Sequence, residues 1–177
     1  MPKICLTGIK PTGNPHLGNY LGAIRPAIRM AQSGDYAGYY FIADYHSLTA
    51  VHNGKELNQY IYEVAATWMA FGLDPKQVVL YQQSHIPEVV ELHWILSCFT
   101  AKGHMNRAHA YKAIVQENEN SGRDPDLGVN IGLYTYPVLM SADILLLQSD
   151  VVPVGPDQLQ HLEIAREIAQ SFNFVYG

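Results

Sequence analysis

The stretch from residue 10 to residue 19 has the composition of a phosphate-binding segment. It reads Lys-Pro-Thr-Gly-Asn-Pro-His-Leu-Gly-Asn and lies between a short apolar run, residues 4–6, and a helical pattern that starts near Leu17. A helix N-terminus offers unpaired N–H groups and the positive end of the helix dipole, and both attract anions. His16 and Asn19 add short polar side chains, and Gly18 leaves room for a ligand. The stretch is equally compatible with a simple tight turn that carries a surface histidine.

Two common nucleotide motifs are excluded. A Walker loop needs Lys and then Ser or Thr after its second glycine, whereas Asn14 and Pro15 follow Gly13. The dinucleotide pattern Gly-x-Gly-x-x-Gly also fails, because Gly8 and Gly13 are too far apart. The segment therefore predicts neither a Walker NTPase nor a nicotinamide enzyme.

A second informative stretch, residues 134–145, places one carboxylate in an apolar helix. Tyr136, Met140 and Asp143 are separated by four and three residues, so a helix puts them on one face. A carboxylate on an apolar face is costly without a partner. Asp143 is therefore either a structural residue paired with a nearby donor or a binding residue.

Two further groups follow apolar runs that are predicted to be strands. Residues 152–161 read Val-Pro-Val-Gly-Pro-Asp-Gln-Leu-Gln-His, and Pro156 and Asp157 are typical of a helix start. His46 lies in Asp-Tyr-His after the run at 39–43. Ligands collect at the carboxyl ends of strands in open α/β sheets, although His46 could equally be a core or capping residue.

The apolar pattern along the chain predicts the elements that carry these groups. Strands are expected at 4–6, 39–43, 78–81 and 151–154, and helices at 17–33, 56–71, 87–99, 138–147 and from 157 onward. This alternation predicts an α/β fold with a Rossmann-like, doubly wound parallel sheet. The more polar segment at about 100–132 is interpreted as a helical insertion within one domain, residues 1–177, with an exposed loop near 118–128.

Composition excludes several classes of protein. The chain has 177 residues, 48% hydrophobic and 15% charged, which is enough for a folded core and argues against disorder. A net charge of -5 is unlike that of a general nucleic-acid binder. No apolar run is long enough to span a membrane, and Cys5 and Cys98 are expected to be buried thiols of a reducing compartment, so the predicted location is cytoplasmic. No His-x-x-x-His or Cys-x-x-Cys pair occurs, and no metal site is predicted.

Pro-Thr-Gly followed by His-x-Gly-Asn resembles the signature of class I aminoacyl-tRNA synthetases, and the stretches at 134–145 and 152–161 resemble the bacterial tryptophanyl enzymes of that class. The resemblance implies tryptophan activation by ATP, with Mg²⁺ accompanying ATP, followed by transfer to tRNA(Trp). It implies a catalytic group of three residues: His16, Asn19 and Lys10. Lys10 stands where many tryptophan enzymes carry Gln.

The resemblance also implies two sets of binding residues. ATP contacts are expected from Lys10, Pro11, Thr12, His16, Gly18, Asn19, Gly155, Pro156 and Asp157. Tryptophan contacts are expected from Asp143, Met140, Tyr136, His46, Gln158, Val152 and Val154. Asp143 is implied to accept the indole N–H.

The family continues with a Lys-Met-Ser-Lys-Ser loop and an anticodon-binding domain, neither of which occurs in these residues, so weak activity or none is expected of residues 1–177 alone. The resemblance also implies a homodimer. A tyrosyl-tRNA synthetase and a non-catalytic paralogue that binds tryptophan are the alternatives.

Overall fold

The computed structural model describes residues 2–177, apart from the side chain of Asp157. The strands are β1 (Lys3–Ile9), β2 (Tyr36–Ile42) and β3 (Val79–Gln82). The α-helices are α1 (Leu17–Asn19), α2 (Arg25–Ser33), α3 (Asp44–Ser47), α4 (Gly54–Ala70), α5 (Glu88–Phe99), α6 (Lys102–Asn106), α7 (His109–Asn120), α8 (Ile131–Leu146) and α9 (Leu159–Tyr176). Residues 2–177 contain no helix with both the length and the apolarity that a membrane crossing requires.

The chain divides into two compact units. Unit 1 contains residues 1–87 and 147–155, and unit 2 contains residues 88–146 and 156–177. Unit 1 holds a sheet of three parallel strands in the order β1-β2-β3, and the β1–β2 register runs from Lys3 opposite Tyr36 to Ile9 opposite Ile42. The α/β fold with a parallel sheet is therefore confirmed.

The core of unit 1 forms where helices cover the sheet. Its buried residues are Ile24, Ala27, Ile28, Tyr40, Ile42, Val64, Trp68 and Leu73. The Tyr40 ring meets the Trp68 ring edge to face, with centroids 5.9 Å apart. The Tyr40 hydroxyl donates to the carbonyl oxygen of Ala27 at 2.9 Å, and so β2 is tied to α2. Burial raises the pKa of Tyr40 to about 12.

The helix predicted at 17–33 is not uniform. Residues Tyr20–Ile24 form a π-helical turn between α1 and α2, and the segment ends at Gly34, which adopts φ 73°. Glycine reaches this left-handed conformation without a Cβ penalty, so the predicted end is confirmed. A π-helical turn is not detectable from apolar spacing alone.

The prediction of a fourth strand at residues 151–154 is wrong, because the structure forms no regular strand there. Val151 makes an isolated parallel bridge to Cys5, and its N–H and carbonyl groups bond to Ile4 and Leu6 of β1. Pro153 lacks the N–H that a ladder needs, so pairing stops after one bridge. Cys5 is buried as expected, whereas Cys98 is exposed.

Unit 2 is built from α5 to α9, and α8 packs against both α5 and α9. Helix α8 begins at Ile131 instead of residue 138, since the Asn130 side chain accepts from the N–H of Leu133 at 2.8 Å and the helix continues through Pro137. The segment at 100–132 is largely helical, as expected. The loop predicted at 118–128 starts later, because α7 extends to Asn120 and buries Asn118.

Candidate active site

The loop between β1 and α1 encloses a pocket of about 170 Å³ in unit 1. Its described lining comprises Ile9, Lys10, Thr12, Gly13, Asn14, Pro15, His16, Asn19, Ile24 and Val64. Four side chains that the sequence singled out, those of Lys10, Thr12, His16 and Asn19, therefore converge on one space. Pro11 is buried beside them. None of the described residues in this lining carries a carboxylate.

Two reciprocal hydrogen bonds hold His16 and Asn19 at the helix start. The backbone N–H of Gly18 donates to Nδ1 of His16 at 3.1 Å, and the backbone N–H of His16 donates to Oδ1 of Asn19 at 3.0 Å. A backbone N–H can only donate, so both side-chain atoms must be acceptors. The neutral His16 ring therefore keeps its proton on Nε2, and Asn19 keeps both amide hydrogens. The capping box thus leaves two side-chain donors beside the pocket.

The position of the His16 ring favours glycine at residue 18. A Cβ atom built on Gly18 would lie 3.0 Å from Cε1 and 3.1 Å from Nδ1 of His16. A side chain at this position would therefore require the ring to shift by a few tenths of an ångström. The sequence had suggested that Gly18 makes room for a ligand, and the structure adds the close packing of the His16 ring.

Lys10 is tied to the segment that follows β2. Its Nζ atom donates to Oγ1 of Thr49 at 2.7 Å, and Thr49 Oγ1 donates to the carbonyl oxygen of His46 at 2.9 Å. Partial burial lowers the pKa of Lys10. A chain of two hydrogen bonds thus joins the pocket loop to α3, the helix that carries His46.

Asp44, which stands two residues before His46, has a structural role. It is buried, and its carboxylate accepts from Nε2 of Gln82 at 2.7 Å and from the N–H of Ser84 at 3.0 Å. These bonds join the end of β2 to the end of β3. His46 lies half-buried on α3.

Helix α8 carries the predicted amino-acid face. Tyr136, Met140 and Asp143 all lie within Ile131–Leu146, so the helical spacing is confirmed. Asp143 is 2% exposed, and the other two are half-buried. The Tyr136 hydroxyl lies 2.7 Å from Nε2 of the buried His161 on α9, and burial raises the Tyr136 pKa.

The last predicted segment spans both units. In unit 1, Val152 and Val154 are half-buried and Gly155 is exposed. In unit 2, Pro156 opens a 3-10 turn, Pro156–Gln158, that leads into α9. The Asp157 side chain, an expected ATP contact, lies outside the described residues. Gln158 is half-buried.

Sequence reasoning missed His161 and Thr49. His161 shares a buried face of α9 with Ile164, Ala165 and Ile168, and this spacing of three, four and seven residues was readable in the sequence. Thr49 gave no local signal, since its partner Lys10 is 39 residues away. Among the described residues, no group of three or more His, Cys, Asp or Glu side chains is placed to hold a metal ion.

Comparison with known proteins identifies the family. Residues 1–175 match the family described as tRNA synthetases class I (W and Y). The chain belongs to this class I synthetase family. A tryptophan–tRNA ligase from Neisseria meningitidis is 59% identical over 172 residues, which cover 97% of this chain and 51% of the relative. The synthetase chain thus spans about half the length of that relative.

Two solved structures of the same family resemble the chain closely. Tryptophanyl-tRNA synthetase from Campylobacter jejuni is 42% identical with a TM-score of 0.85, covering 99% of this chain and 51% of that one. The same enzyme complexed with ADP and tryptophan is 43% identical with a TM-score of 0.83, covering 96% and 50%. The fold of this synthetase chain is therefore the Rossmann-like fold of class I enzymes.

Proposed function

We propose that this protein is a tryptophan–tRNA ligase. It joins tryptophan to ATP, which gives tryptophanyl-adenylate and pyrophosphate, and then transfers the tryptophanyl group to tRNA(Trp). The observation that carries this proposal is the capping box of His16 and Asn19, which leaves two donors beside the pocket of unit 1. The Neisseria meningitidis relative is named as a ligase of this specificity.

In the proposed reaction the pocket of unit 1 binds the phosphates of ATP. His16 Nε2–H and the Asn19 amide donate to phosphate oxygens, and Lys10 adds a positive charge. Thr12, Pro11 and Gly18 shape the loop around the nucleotide, and Gly155 of the same unit contacts ATP. Each donor aimed at charge that develops in the transition state contributes about 3 kcal/mol.

Mg²⁺ enters this proposal together with ATP. The described residues of the pocket lining provide hydrogen-bond donors and a cation, which suit phosphate oxygens. Phosphate oxygens would hold the ion, as is usual for Mg²⁺. The ion would neutralise phosphate charge when bound.

Tryptophan specificity is assigned to the face of α8. Asp143 accepts the indole N–H, Met140 and Tyr136 line the ring, and Gln158 contacts the amino acid. Phenylalanine has no N–H for this acceptor, and sites built to hydrogen-bond one substrate reject analogues that lack the group by about 10⁴–10⁵. Asp143, at 2% exposure, meets the burial that this requires.

The carboxylate of tryptophan attacks the α-phosphorus of ATP directly, so the first step needs no protein nucleophile. The protein contributes orientation and charge stabilisation. Orientation alone supplies roughly 7–11 kcal/mol in well-ordered reactions. The second step requires tRNA, so the proposed location of the protein is the cytoplasm, where tRNA is used.

We propose a second copy of the chain as a partner. Helix α5 presents Val90, Trp94 and Ile95 to solvent, and Trp94 is 71% exposed. Large apolar side chains grouped on one helix are typical of association surfaces. A Trp94→Glu variant would sediment as a monomer while the wild type sediments as a dimer. Identical sedimentation of the two would contradict this surface.

The test of function is ATP–pyrophosphate exchange by the complete gene product with tryptophan and, separately, with tyrosine. We expect exchange with tryptophan. Exchange with tyrosine alone would move the assignment to tyrosyl-tRNA synthetase. Tryptophan binding without exchange would identify a non-catalytic relative and would refute the ligase proposal.

A further inference from the structure

The buried face of α9 contains one polar side chain among apolar ones. His161 is 2% exposed and shares this face with Ile164, Ala165 and Ile168. An imidazole removed from water is costly unless its nitrogen atoms are bonded. Packing alone therefore does not explain why a histidine occupies this position.

His161 contacts Tyr136 in two ways. The Tyr136 hydroxyl oxygen lies 2.7 Å from Nε2 of His161. The two rings also meet edge to face, with centroids 5.1 Å apart and an interplanar angle of 81°. The hydrogen bond fixes the far end of the tyrosine, and the ring contact restricts rotation of its ring. Together they hold both side-chain torsions of Tyr136.

The first turn of α9 is itself anchored. Nε2 of Gln160 donates to the carbonyl oxygen of Arg107 at 3.1 Å, and Oε1 of Gln160 accepts from the N–H of His109 at 2.9 Å. These bonds tie α9 to the connection between α6 and α7. His161, the next residue along, is thus carried by an element that is fixed at its beginning, which suits a supporting residue.

We propose that His161 is a positioning residue for the amino-acid substrate, because it holds Tyr136 on the face of α8 that carries Asp143. This inference rests on the proposed function, in which Tyr136 lines the tryptophan site. His161 itself does not touch the reacting atoms. Its effect is on how well tryptophan binds, and the phosphate chemistry in unit 1 is unaffected.

The experiment compares His161→Phe, His161→Gln, Tyr136→Phe and the double variant His161→Phe/Tyr136→Phe in the complete gene product. His161→Phe keeps a ring and removes the hydrogen bond. His161→Gln places an amide group close to the position of Nε2. We expect His161→Phe to raise the KM for tryptophan about tenfold, which corresponds to the loss of one buried hydrogen bond.

The KM for ATP and the kcat of exchange are expected to stay within about twofold of the wild type. The variant should weaken tryptophan binding equally in the ground state and in the transition state, and such a loss raises only the KM for tryptophan. His161→Gln should recover a tryptophan KM within about threefold of the wild type. Because both single variants break one bond, the double variant should resemble the weaker-binding single variant. His104→Gln is the matched control. Nδ1 of His104 lies 3.3 Å from the carboxylate of Glu167, which is on α9 like His161. This variant should leave both KM values unchanged.

Three results would overturn the inference. One is an unchanged tryptophan KM in His161→Phe, and another is a double variant whose effects add fully. The third is equal loss of tryptophan and ATP affinity, which indicates general unfolding. If His161→Phe does not fold, Tyr136→Phe breaks the same bond, and an unchanged tryptophan KM in that variant would overturn the inference. Absence of exchange in the wild type would instead refute the proposed function, so the two failures are distinguishable.

Discussion

The Nζ atom of Lys10 donates to Oγ1 of Thr49 at 2.7 Å, and that hydroxyl donates to the carbonyl oxygen of His46. One threonine therefore links the phosphate-type loop after β1 to the helix after β2. If Lys10 serves ATP as proposed, its ammonium group is held at the edge of the pocket before the nucleotide arrives.

Removal of this link should weaken the use of ATP. Thr49→Val keeps the shape and removes the hydroxyl, and we expect the kcat/KM for ATP to fall roughly tenfold, while Thr49→Ser retains most of the activity. Lys10→Ala should lose more than Thr49→Val, and its rate should depend less on salt concentration because a charge is gone. The measurement is ATP–pyrophosphate exchange at varied ATP and ionic strength. Equal rates for Thr49→Val and the wild type would contradict the link.

The packing of Gly18 against the His16 ring gives a second prediction. Gly18→Ala places a methyl group 3.0 Å from Cε1 of His16, so the ring must shift by a few tenths of an ångström. We expect the exchange rate to fall about tenfold or more, because misplacement of a donor by a fraction of an ångström weakens charge stabilisation. Tryptophan binding, measured by calorimetry, should be unchanged.

Gly22→Ala is the control for this change. A Cβ atom on Gly22 meets nothing within 4 Å, and the residue lies one turn further along the same helical segment. A normal exchange rate in Gly22→Ala and a low one in Gly18→Ala would support the proposed role of the His16 ring. Equal rates in both would argue against it.

Asp143→Ala tests the amino-acid site. Asp143 is buried on α8, and we expect its removal to abolish most of the selectivity for tryptophan over phenylalanine, since no acceptor remains for the indole N–H. The ratio of kcat/KM values for the two amino acids measures this. Thermal denaturation of the variant checks that the helix is still folded. Retained selectivity in a folded variant would remove Asp143 from the proposed pocket.

Tyr40 predicts how stability depends on pH. Its hydroxyl donates to the carbonyl oxygen of Ala27, and burial raises its pKa to about 12 from the ordinary value of 10.0. A raised pKa means that its stabilisation is fully present below pH 10 and is lost as the pH rises through 12. We expect the ionisation of Tyr40 to lower the free energy of unfolding by about 1 kcal/mol per pH unit between pH 10 and pH 12. Urea unfolding at several pH values should show a smaller slope for Tyr40→Phe; an identical slope would contradict the assignment.

Asn118 holds the loop that follows α7. Its Nδ2 group donates to the carbonyl oxygens of Pro125 and Leu127 at 3.0 and 2.9 Å, and the side chain is buried. Asn118→Ala should lower the free energy of unfolding by about 1–3 kcal/mol, because the buried side chain loses two hydrogen bonds that hold the loop. Asn120→Ala, at an exposed site on the same helix, should change it by less than about 0.5 kcal/mol. Urea denaturation compares the two.

The sequence by itself determined the features that depend on neighbouring residues. The order of the three strands and the long helices that cover them follows from apolar spacing, and the end of α2 follows from Gly34, which adopts a conformation that other residues resist. The capping box of His16 and Asn19 needs only four consecutive residues. The common face of Tyr136, Met140 and Asp143 follows from helical periodicity. Local hydrogen bonds and steric limits are sufficient causes for all of these features.

Only the tertiary structure decided what each polar group contacts across the chain. Lys10 meets Thr49 across 39 residues, and Tyr136 meets His161 across 25. Asp44 proved to be a structural acceptor for β3, although its position after a strand was equally compatible with ligand binding. Such pairings depend on which elements pack together, and packing is set by the whole apolar surface that each unit buries. The spacing of residues within one segment does not predict which side chain of a distant segment they will contact.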